Sequence, residues 1–505
     1  MARQISYNLW VDWNNNGLYS DVGENLTDYL LDASGDESIS NPDESFSASK
    51  GYTSAATFTL GNKDQRFSPS NTSSPIYSSI ANGGYYQKKV YFQVFIDGTP
   101  HTVFFGIIKS ITENTRGANE AGTVTLSCVS NEDAFINMRL VSPVATTQVF
   151  YENGKDEGQL IAKTLELCGL ADGTDFVSQD YGGGGTKTID RGLFTIPWYW
   201  LDSESPIEDC WKLAAACGGR FYFNTSDGKF YYKNAEFYGF GVSGSSQFTA
   251  DTSNSVKVTP AYNDKELYEG VRVVAKPRQI GDSEVLWQPD TIPTLFPDET
   301  LTIVAKINTP VYRYTGYSLR AMSTGGFDKT SELAISATYN SQEVKFVITN
   351  NSAHFLFLRN FKLTGNPIDG GETVEYTETS SDTFWNTRHG KQRSISDNPY
   401  IQTYAHAKAI GQMLADRQSV WSDQYRVTDY RGGSFGRVGM MITVANSTIG
   451  LSKTAIITKA SWKLTRGQFD QNFECYAAAN LYGYPIGNYF VIGTHSSDSL
   501  ARYFY

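Results

Sequence analysis

One loop near the start of the chain has side chains suited to binding a hard metal ion. The run DWNNNG begins at Asp12 and places amide groups at Asn14 and Asn16, and acids follow at Asp21 and Glu24. In calcium loops, oxygens at alternate positions converge on one cation while a glycine permits the sharp turn. These five residues are therefore the candidate metal ligands of the chain.

The spacing departs from that of an EF-hand loop. The twelfth position, which is Glu in an EF-hand, is Gly23 here, and the loop is closer to a shorter D-x-N-x-N-G-x-x-x-D pattern ending at Asp21. The same residues also suit an Asn-rich β-turn held by side-chain hydrogen bonds to the backbone. The sequence leaves a calcium loop and a metal-free turn both open, and it predicts no other cofactor.

The groups that could carry catalysis do not form a recognisable constellation. Gly432–Gly436 fits G-x-S-x-G, but it leads into a strand instead of the helix that a nucleophile elbow requires, which predicts a β-turn. The acid pairs Asp202 with Glu204 and Asp282 with Glu284 lie in polar segments without the aromatic cleft of a glycosidase. The histidines form no H-E-x-x-H motif and no close pair: His101, His354, His389, His406 and His495. We therefore expect no enzymatic activity, and we expect His406, on a helix, to serve packing or the surface.

An aromatic run and a glycine-rich run have the composition of binding sites. Trp198, Tyr199 and Trp200 have rings that can stack on sugars, but a helix follows at once, which favours packing in a core. Gly182–Gly185 is followed by Thr186 before any lysine, so it does not fit a phosphate-binding P-loop and is typical of a turn.

Composition and charge narrow the class of protein. The 505 residues carry a net charge of −11, and no cluster of Lys and Arg provides the basic face that a nucleic-acid binder needs. An acidic chain can still surround DNA without gripping it. The five cysteines form no C-x-x-C pair, so buried free thiols are expected. The first residues lack the apolar core of a signal peptide, and no run of eighteen apolar residues predicts a membrane span, which is typical of assembly in the cytoplasm.

The chain reads as mainly β with α+β parts. A first β-domain is predicted over 1–146, with strands that include Ser6–Trp13, Phe46–Leu60 and Lys88–Ile96. A small α/β domain is predicted over 147–248. Its first helix spans Asp156–Cys168, and its second begins with a capping box at Ser205.

The second half is predicted to contain a further β-domain interrupted by an insertion. The β-domain covers 249–280 and 389–481, the inserted β-sandwich covers 281–388, and residues 482–505 form an extended C-terminal arm. Asp397-Asn398-Pro399 predicts the start of the last helix. Its predicted buried stripe consists of Tyr404, Ala407, Ile410, Met413 and Leu414.

The order of motifs resembles that of the tail hub proteins of tailed bacteriophages. A strand is followed by L-x-N-x-D-x-R-F-S-P from Leu60 to Pro69, then by S-P-I-Y from Ser74 and a strand after Gly83-Gly84. An aromatic strand, a capped helix, G-G-R-F-Y-F and D-G-K-F-Y-Y recur later in the order of that family's small α/β domain. The resemblance covers 7–278 and 393–475.

The resemblance implies a structural protein of the virion. It implies two β-barrel-like tube domains per chain, and a homotrimeric ring with pseudo-sixfold symmetry at the distal end of the tail. Such a ring contacts the tail tube or distal tail protein and a spike, fibre or tape-measure protein, and DNA passes through it without sequence-specific binding. The residues from Arg66 to Ser74 form a polar loop. Its exposed tip is then a candidate contact with a neighbouring subunit: Asn71, Thr72, Ser73 and Ser74.

Three alternatives remain beside the hub. A distal tail or adaptor protein forms a ring of six copies and lacks a second tube domain. A carbohydrate-binding tail protein acts in host attachment through the inserted sandwich and its aromatic residues. A tail lysozyme is disfavoured because no suitable acid pair occurs.

Overall fold

The computed structural model describes residues 3–38, 53–114, 122–136, 138, 140, 150–201, 205–234, 246–261, 270–379, 392–418 and 424–477, and the structural statements concern these residues. The predicted C-terminal arm, 482–505, lies outside them.

The first unit is an antiparallel β-unit with two one-turn helices. Two of its strands alternate fully buried apolar side chains with less buried ones, most of them polar, as a sheet with one partly solvated face requires. Its elements are β1 (Ile5–Asp12), β2 (Leu30–Ser38), β3 (Thr53–Gly61), α1 (Tyr77–Ile80), β4 (Lys89–Ile96), β5 (Thr99–Asn114), β6 (Thr123–Val129) and α2 (Asp133–Ile136).

A small α/β unit follows. Its elements are β7 (Phe150–Asp156), α3 (Glu157–Leu167), β8 (Thr195–Trp200), α4 (Pro206–Ala216), β9 (Arg220–Asn224) and β10 (Lys229–Lys233). Asp156 and Gln159 form a capping box at the start of α3. Ser205 caps α4 by accepting the Glu208 N–H, and Pro206 occupies the first turn.

The chain then enters a second β-unit and leaves it for the inserted module. The elements are β11 (Thr249–Ala250), β12 (Ser255–Ala261), β13 (Gly270–Ala275), β14 (Arg278–Ile280), β15 (Glu284–Trp287), β16 (Thr294–Leu295), β17 (Thr300–Lys306), β18 (Val311–Ser323), β19 (Leu333–Tyr339), β20 (Glu343–Asn350), β21 (Leu356–Gly370) and β22 (Val374–Thr379). β14, β15, β16 and β18 pair with the long strand β21, and β17, β20 and β19 form a second sheet over a shared core that includes Phe346 and Phe361.

Six elements follow the inserted module. They are β23 (Gln392–Ile395), α5 (Tyr404–Gln418), β24 (Gln424–Tyr430), β25 (Met441–Asn446), β26 (Leu451–Thr465) and β27 (Gln468–Ala477).

The last helix begins later than predicted. Asn398 donates its side-chain N–H to the Lys212 carbonyl at 2.8 Å, and the Tyr400 hydroxyl donates to the Trp200 carbonyl at 2.9 Å. These bonds hold 398–400 against the α/β unit, and Thr403 accepts the His406 N–H at 3.1 Å as the helix starts. Tyr404 was predicted to be buried but is 51% exposed.

The boundaries of the second β-unit also differ from the predicted ranges. β13 pairs with β22 and β23 in a three-stranded sheet that packs on α5. Val271 and Ile410 are fully buried in the same core as α3 and α4. β13, β23 and α5 therefore extend the α/β unit, although they fall inside the range predicted for the second β-domain, and β22 falls inside that of the insertion.

Candidate assembly surfaces

The two β-units share one strand order. In the first unit the spatial order is β2-β3-β6-β5-β4, and in the second it is β12-β24-β27-β26-β25, with every neighbouring pair antiparallel. When the five strands of each unit are numbered by their order along the chain, they lie side by side in the order first, second, fifth, fourth and third in both units. The chain therefore contains the same five-stranded arrangement twice.

The registers of the two units coincide along one row of residues that crosses four strands. The β5–β6 pairing is irregular between Ile108 and Ser110, and the β26–β27 pairing is irregular between Ile457 and Lys459. When these irregularities are superposed, Ile111 matches Ala460, and the row Ile111–Leu126–Phe58–Ala33 matches Ala460–Phe473–Val427–Val258. The buried thiols Cys128 and Cys475 then occupy the same position.

The units are joined edge to edge into one sheet of 12 strands. β2 of the first unit pairs antiparallel with the second half of β26, from Asp32 opposite Thr465 to Ser38 opposite Lys459. The first half of that β26 edge is already covered by β25, from Asn446 opposite Leu451 to Met441 opposite Ile456.

The two strand edges that would form a second junction of this kind have no partner strand among the described residues. The second half of β5 is bordered by β6 from Ile107 to Asn114, but β4 covers only the part up to Ile107. β12 pairs with β24, and no described strand borders its other edge. The open edge of β12 corresponds to the paired edge of β2. The open second half of β5 corresponds to the second half of β26, which β2 borders.

The solvated face of this sheet is polar across both units. In the first unit it carries hydroxyl groups with the acids Asp32 and Asp36, and no Lys or Arg on the described strands β2, β3 and β6. In the second unit Lys and Arg occur beside acids, and Arg426 pairs with Glu474 at 3.0 Å. A shallow concavity of about 500 Å³ lies on this face beside β12, lined by Lys257, Thr259, Gln424, Tyr425, Arg426, Thr428, Glu474, Cys475 and Tyr476.

A buried ion pair connects three parts of the molecule. Arg437, in the loop between β24 and β25, donates to the Glu37 carboxylate at 2.6 Å and to the Thr225 hydroxyl at 2.8 Å. It also donates to the carbonyls of Thr102 and Val103. Both charged side chains are nearly inaccessible to solvent. The pair therefore fixes the second β-unit against β2, β5 and the β9–β10 hairpin.

The polar loop after β3 is anchored at its base. Asn62 accepts the Phe67 N–H at 3.0 Å and donates to the Ser68 hydroxyl at 3.0 Å, while Ser68 also donates to Glu113 on β5. Phe67 is fully buried, and the Arg66 guanidinium lies over the ring of Tyr29. The N-x-x-x-R-F-S pattern thus fastens the loop to the second half of β5.

The predicted contact tip is only partly exposed. Thr72 and Ser73 are exposed and Asn71 is half-buried, but Ser74 is 8% exposed. The Ser74 hydroxyl donates to the Arg66 carbonyl and closes the loop, so Ser74 was wrongly counted as part of an exposed tip. The contact itself stays a prediction.

The structure brings the candidate calcium ligands into one loop. Asp12 accepts the Asn16 N–H at 3.1 Å and the Gly17 N–H at 2.9 Å. Both Asn14 and Asn16 direct their amides at one oxygen of Asp21, at 2.6 and 2.7 Å. Among the described residues no three His, Cys, Asp or Glu side chains cluster as a metal site, so a cation here would depend on amide and backbone oxygens as well.

Glu157 is a buried carboxylate that sequence reasoning missed. Its oxygens accept the N–H groups of Leu193 and Phe194 at 2.7 and 2.9 Å, and the Tyr232 hydroxyl at 3.0 Å. Burial, followed by the nearby charge of Asp156, raises the pKa of Glu157 to about 7. The only signal in the sequence was its place in the first turn of a helix. Glu37 and Arg437 gave none, because they lie 400 positions apart.

The other residues singled out for chemistry are placed as follows. His406 is buried, stacks on Phe194 at 4.2 Å and contacts the Ala216 carbonyl at 2.9 Å, and burial lowers its pKa to about 4. Tyr199 and Trp200 lie in the core. Asp282 and Glu284 are exposed, and Asp202 and Glu204 lie outside the described residues.

Within the described ranges, no helix is both long and apolar enough to span a membrane.

Comparison with known proteins returns structures but no sequence families. No family model matches the chain, and no curated protein matches it. Among solved structures, a tail protein from Neisseria meningitidis MC58 is similar at a TM-score of 0.48 and 10% identity, over 95% of this chain and 100% of that one. The 43 kDa tail protein of prophage MuSo2 from Shewanella oneidensis is similar at a TM-score of 0.47 and 10% identity, over 95% and 99% of the two chains.

A third similar structure is an E. coli component of the type VI secretion system, described as similar to T4 tail proteins gp27 and gp5. Its TM-score is 0.40 and its identity 10%, over 94% of this chain and 78% of that one. These descriptions agree with the resemblance drawn from the motifs. At TM-scores below 0.5, the likeness by itself assigns no function to this chain.

Proposed function

We propose that the protein is a structural hub of a phage tail. Three copies form a ring at the distal end of the tail that joins the hexameric tail tube to a threefold spike or fibre and lines the DNA exit channel. The observation that carries this proposal is the duplicated five-stranded unit, joined edge to edge within one chain.

The junction within the chain has a direction. The β2 edge of the first unit meets the β26 edge of the second, so two different edges are used. Contacts between unlike edges are heterologous, and they close into rings when the rotation permits. Repeating the junction between copies pairs β12 of one copy with β5 of the next.

The duplication explains how three copies suit a sixfold neighbour. Each copy supplies two matching units, so three copies present six around the axis and remain threefold as a whole. A distal tail protein that forms a ring of six copies needs one unit per chain, and the second unit favours the hub over this alternative. The count of three rests on the resemblance of the motifs.

The solvated face of the sheet suits a channel for DNA. Its first-unit part combines hydroxyl groups with acids, and the acids of its second-unit part have basic neighbours such as Arg426 beside Glu474. Such a face offers no continuous row of cations to displace phosphate counterions, so DNA can pass without being held. Tyr199 and Trp200 are buried and cannot stack on a glycan, which leaves the carbohydrate-binding alternative to the aromatic residues of the inserted module.

The junction between copies can be tested by cross-linking. Ser34 lies opposite Lys463 in the β2–β26 junction, and the matching residues are Thr259 and Asn114. Opposed residues in antiparallel strands bring their Cβ atoms within about 5.5 Å. We expect Thr259→Cys with Asn114→Cys to form disulfides between copies and to yield a covalent trimer, since the five native cysteines are buried.

The control pairs Asn114→Cys with Thr428→Cys, which lies one strand further from the open edge. Equal cross-linking of both pairs would indicate random collision. Absence of cross-links in particles that contain the protein would exclude this junction.

A further inference from the structure

The loop from Asp12 to Glu24 encloses carboxylates that lack a counter-charge. Asp12 is fully buried and Glu24 is 1% exposed. No described Lys, Arg or His forms an ion pair with Asp12, Asp21 or Glu24. A buried carboxylate without a counter-charge is costly, and proteins offset that cost with a cation or by protonation.

One oxygen of this loop is unsatisfied. Glu24 accepts the Asp21 N–H through Oε2 at 2.9 Å, so its carboxylate is turned toward the loop. Its other oxygen, Oε1, is buried and has no hydrogen-bond partner. Buried polar atoms are nearly always paired, so an orphan oxygen on a carboxylate that is bonded to this loop indicates a missing group.

Two other oxygens of the loop lie close to one another. Asp12 Oδ1 and Asn14 Oδ1 both accept the Asn16 N–H, at 3.1 and 3.0 Å. Gly17 has a φ of +76°, which permits the sharp turn that brings Asn16 back toward Asp12. A carboxyl or amide oxygen that accepts one hydrogen bond keeps a second lone pair for a metal.

We propose that this loop binds one Ca²⁺ through oxygens of Asp12, Asn14, Asn16, Asp21 and Glu24. The donor set consists entirely of oxygens and is split between carboxylates and amides, which suits a hard cation of flexible coordination and not Zn²⁺. Mg²⁺ demands a smaller, regular octahedron and parts with its water reluctantly, so Ca²⁺ is preferred.

The position of the site gives the cation a structural role. Glu24 and Leu26 hydrogen-bond across β1 on the side away from β4, through Val11 N–H to Glu24 O at 2.9 Å and Leu26 N–H to Leu9 O at 2.8 Å. A cation bound at both ends of the loop therefore holds this segment on β1, just before the chain enters β2.

Titration of the full-length protein tests the proposal. With three carboxylates at most and an exposed loop, we expect a Kd of about 0.1 to 1 mM for Ca²⁺ by calorimetry. We also expect Ca²⁺ to raise the melting temperature above its value in chelator, and Mg²⁺ at the same concentration to raise it less. Tb³⁺ bound in the loop should give luminescence sensitised by Trp13, whose indole donates to the Gly23 carbonyl, and Ca²⁺ should displace it.

Variants of exposed ligands separate binding from folding. Asn16 and Asp21 are exposed, so Asn16→Ala with Asp21→Ala should lower the melting temperature in chelator by no more than the loss of their exposed hydrogen bonds, and should abolish the Ca²⁺ response. Asp28→Asn, at an exposed acid just beyond the loop, is the control and should keep the full response. The proposal is overturned if the wild type shows no heat and no thermal shift at millimolar Ca²⁺, or if the double variant responds as the wild type does.

Discussion

At the scale of single residues, the buried charges mark the points where separate segments are held together. Glu157 connects α3 to the segment just before β8 and to β10, and Arg437 connects both β-units to the α/β unit. Each charge is satisfied by groups distant in sequence. These residues therefore report on packing between units, and they are the most informative positions to substitute.

Glu157→Gln should change how stability depends on pH. The folded pKa of Glu157, about 7, lies above its ordinary value of 4.5, so its contribution is complete below about pH 4.5 and is lost as the pH rises through about 7. Gln does not titrate, but it presents an amide donor to the N–H groups of Leu193 and Phe194. At low pH we expect Glu157→Gln to lower the free energy of unfolding by about 1–3 kcal/mol relative to the wild type. This difference should shift in favour of the variant by about 3 kcal/mol toward pH 8.

Urea unfolding at several pH values measures this difference. Glu166→Gln, at an exposed position of the same helix, is the matched control. Its free energy of unfolding should differ from that of the wild type by an amount that does not change toward zero as the pH rises. A deficit for Glu157→Gln that stayed constant or grew with pH would contradict the account.

Arg437→Met should destabilise the protein strongly. The substitution leaves Glu37 buried without a counter-charge, which costs about 3–5 kcal/mol. Adding Glu37→Leu removes the unpaired carboxylate. In a double-mutant cycle it should restore part of the free energy of unfolding that Arg437→Met loses. Arg426→Met breaks an exposed pair with Glu474 and serves as the control, with an expected cost below about 1 kcal/mol. A cost for Arg437→Met no larger than that of the control would show that the buried pair does not connect the units.

At the scale of elements, local signals in the sequence were sufficient where the partners are close along the chain. The D-G of the D-G-K-F-Y-Y motif lies in the turn between β9 and β10, and the caps at Asp156 and Ser205 place α3 and α4. In these elements the turn or cap residue and its hydrogen-bond partner lie within a few positions of one another.

Elements fixed by distant contacts could not be placed from the sequence. Asp397-Asn398-Pro399 has the form of a helix start, but Asn398 and Tyr400 bond to segments nearly 200 positions away, and the helix begins at Tyr404. The pairing of β2 with β26 joins residues more than 400 positions apart, and the matching registers of the two units appear only once every strand has its partners. Of the candidate site, the motif of the polar loop and the calcium residues were visible in the sequence, whereas Glu37, Arg437 and the open edges were not.

Deleting Ser70–Ser73 tests the polar loop as an element. The base of the loop is held by Asn62, Phe67 and Ser68, so the deletion should leave the melting temperature of the isolated protein within a few degrees of the wild type. Because Ser68 connects the loop to Glu113 on the open half of β5, we expect the shortened loop to reduce incorporation into tails. Asn62→Ala is the contrasting variant and should lower the melting temperature. Normal incorporation of the deletion variant would show that the loop is only a connector.

At the scale of the whole molecule, the duplicated unit accounts for the organisation of the chain. The α/β unit lies between the two β-units in sequence, and Thr225 of its β9–β10 turn contacts both through Glu37 and Arg437. The inserted module has a core of its own, so it can vary without disturbing the sheet. In this account the sheet and its two open edges specify assembly, and the remaining units fix the angle between the β-units.

Imaging the assembled tail tip by electron cryo-microscopy tests the central claim most directly. The account predicts three copies of the chain around an axial channel, with six β-units in alternating order and β12 of each copy beside the second half of β5 in the next. A ring of six copies, or a ring in which the two β-units do not alternate around the channel, would contradict it.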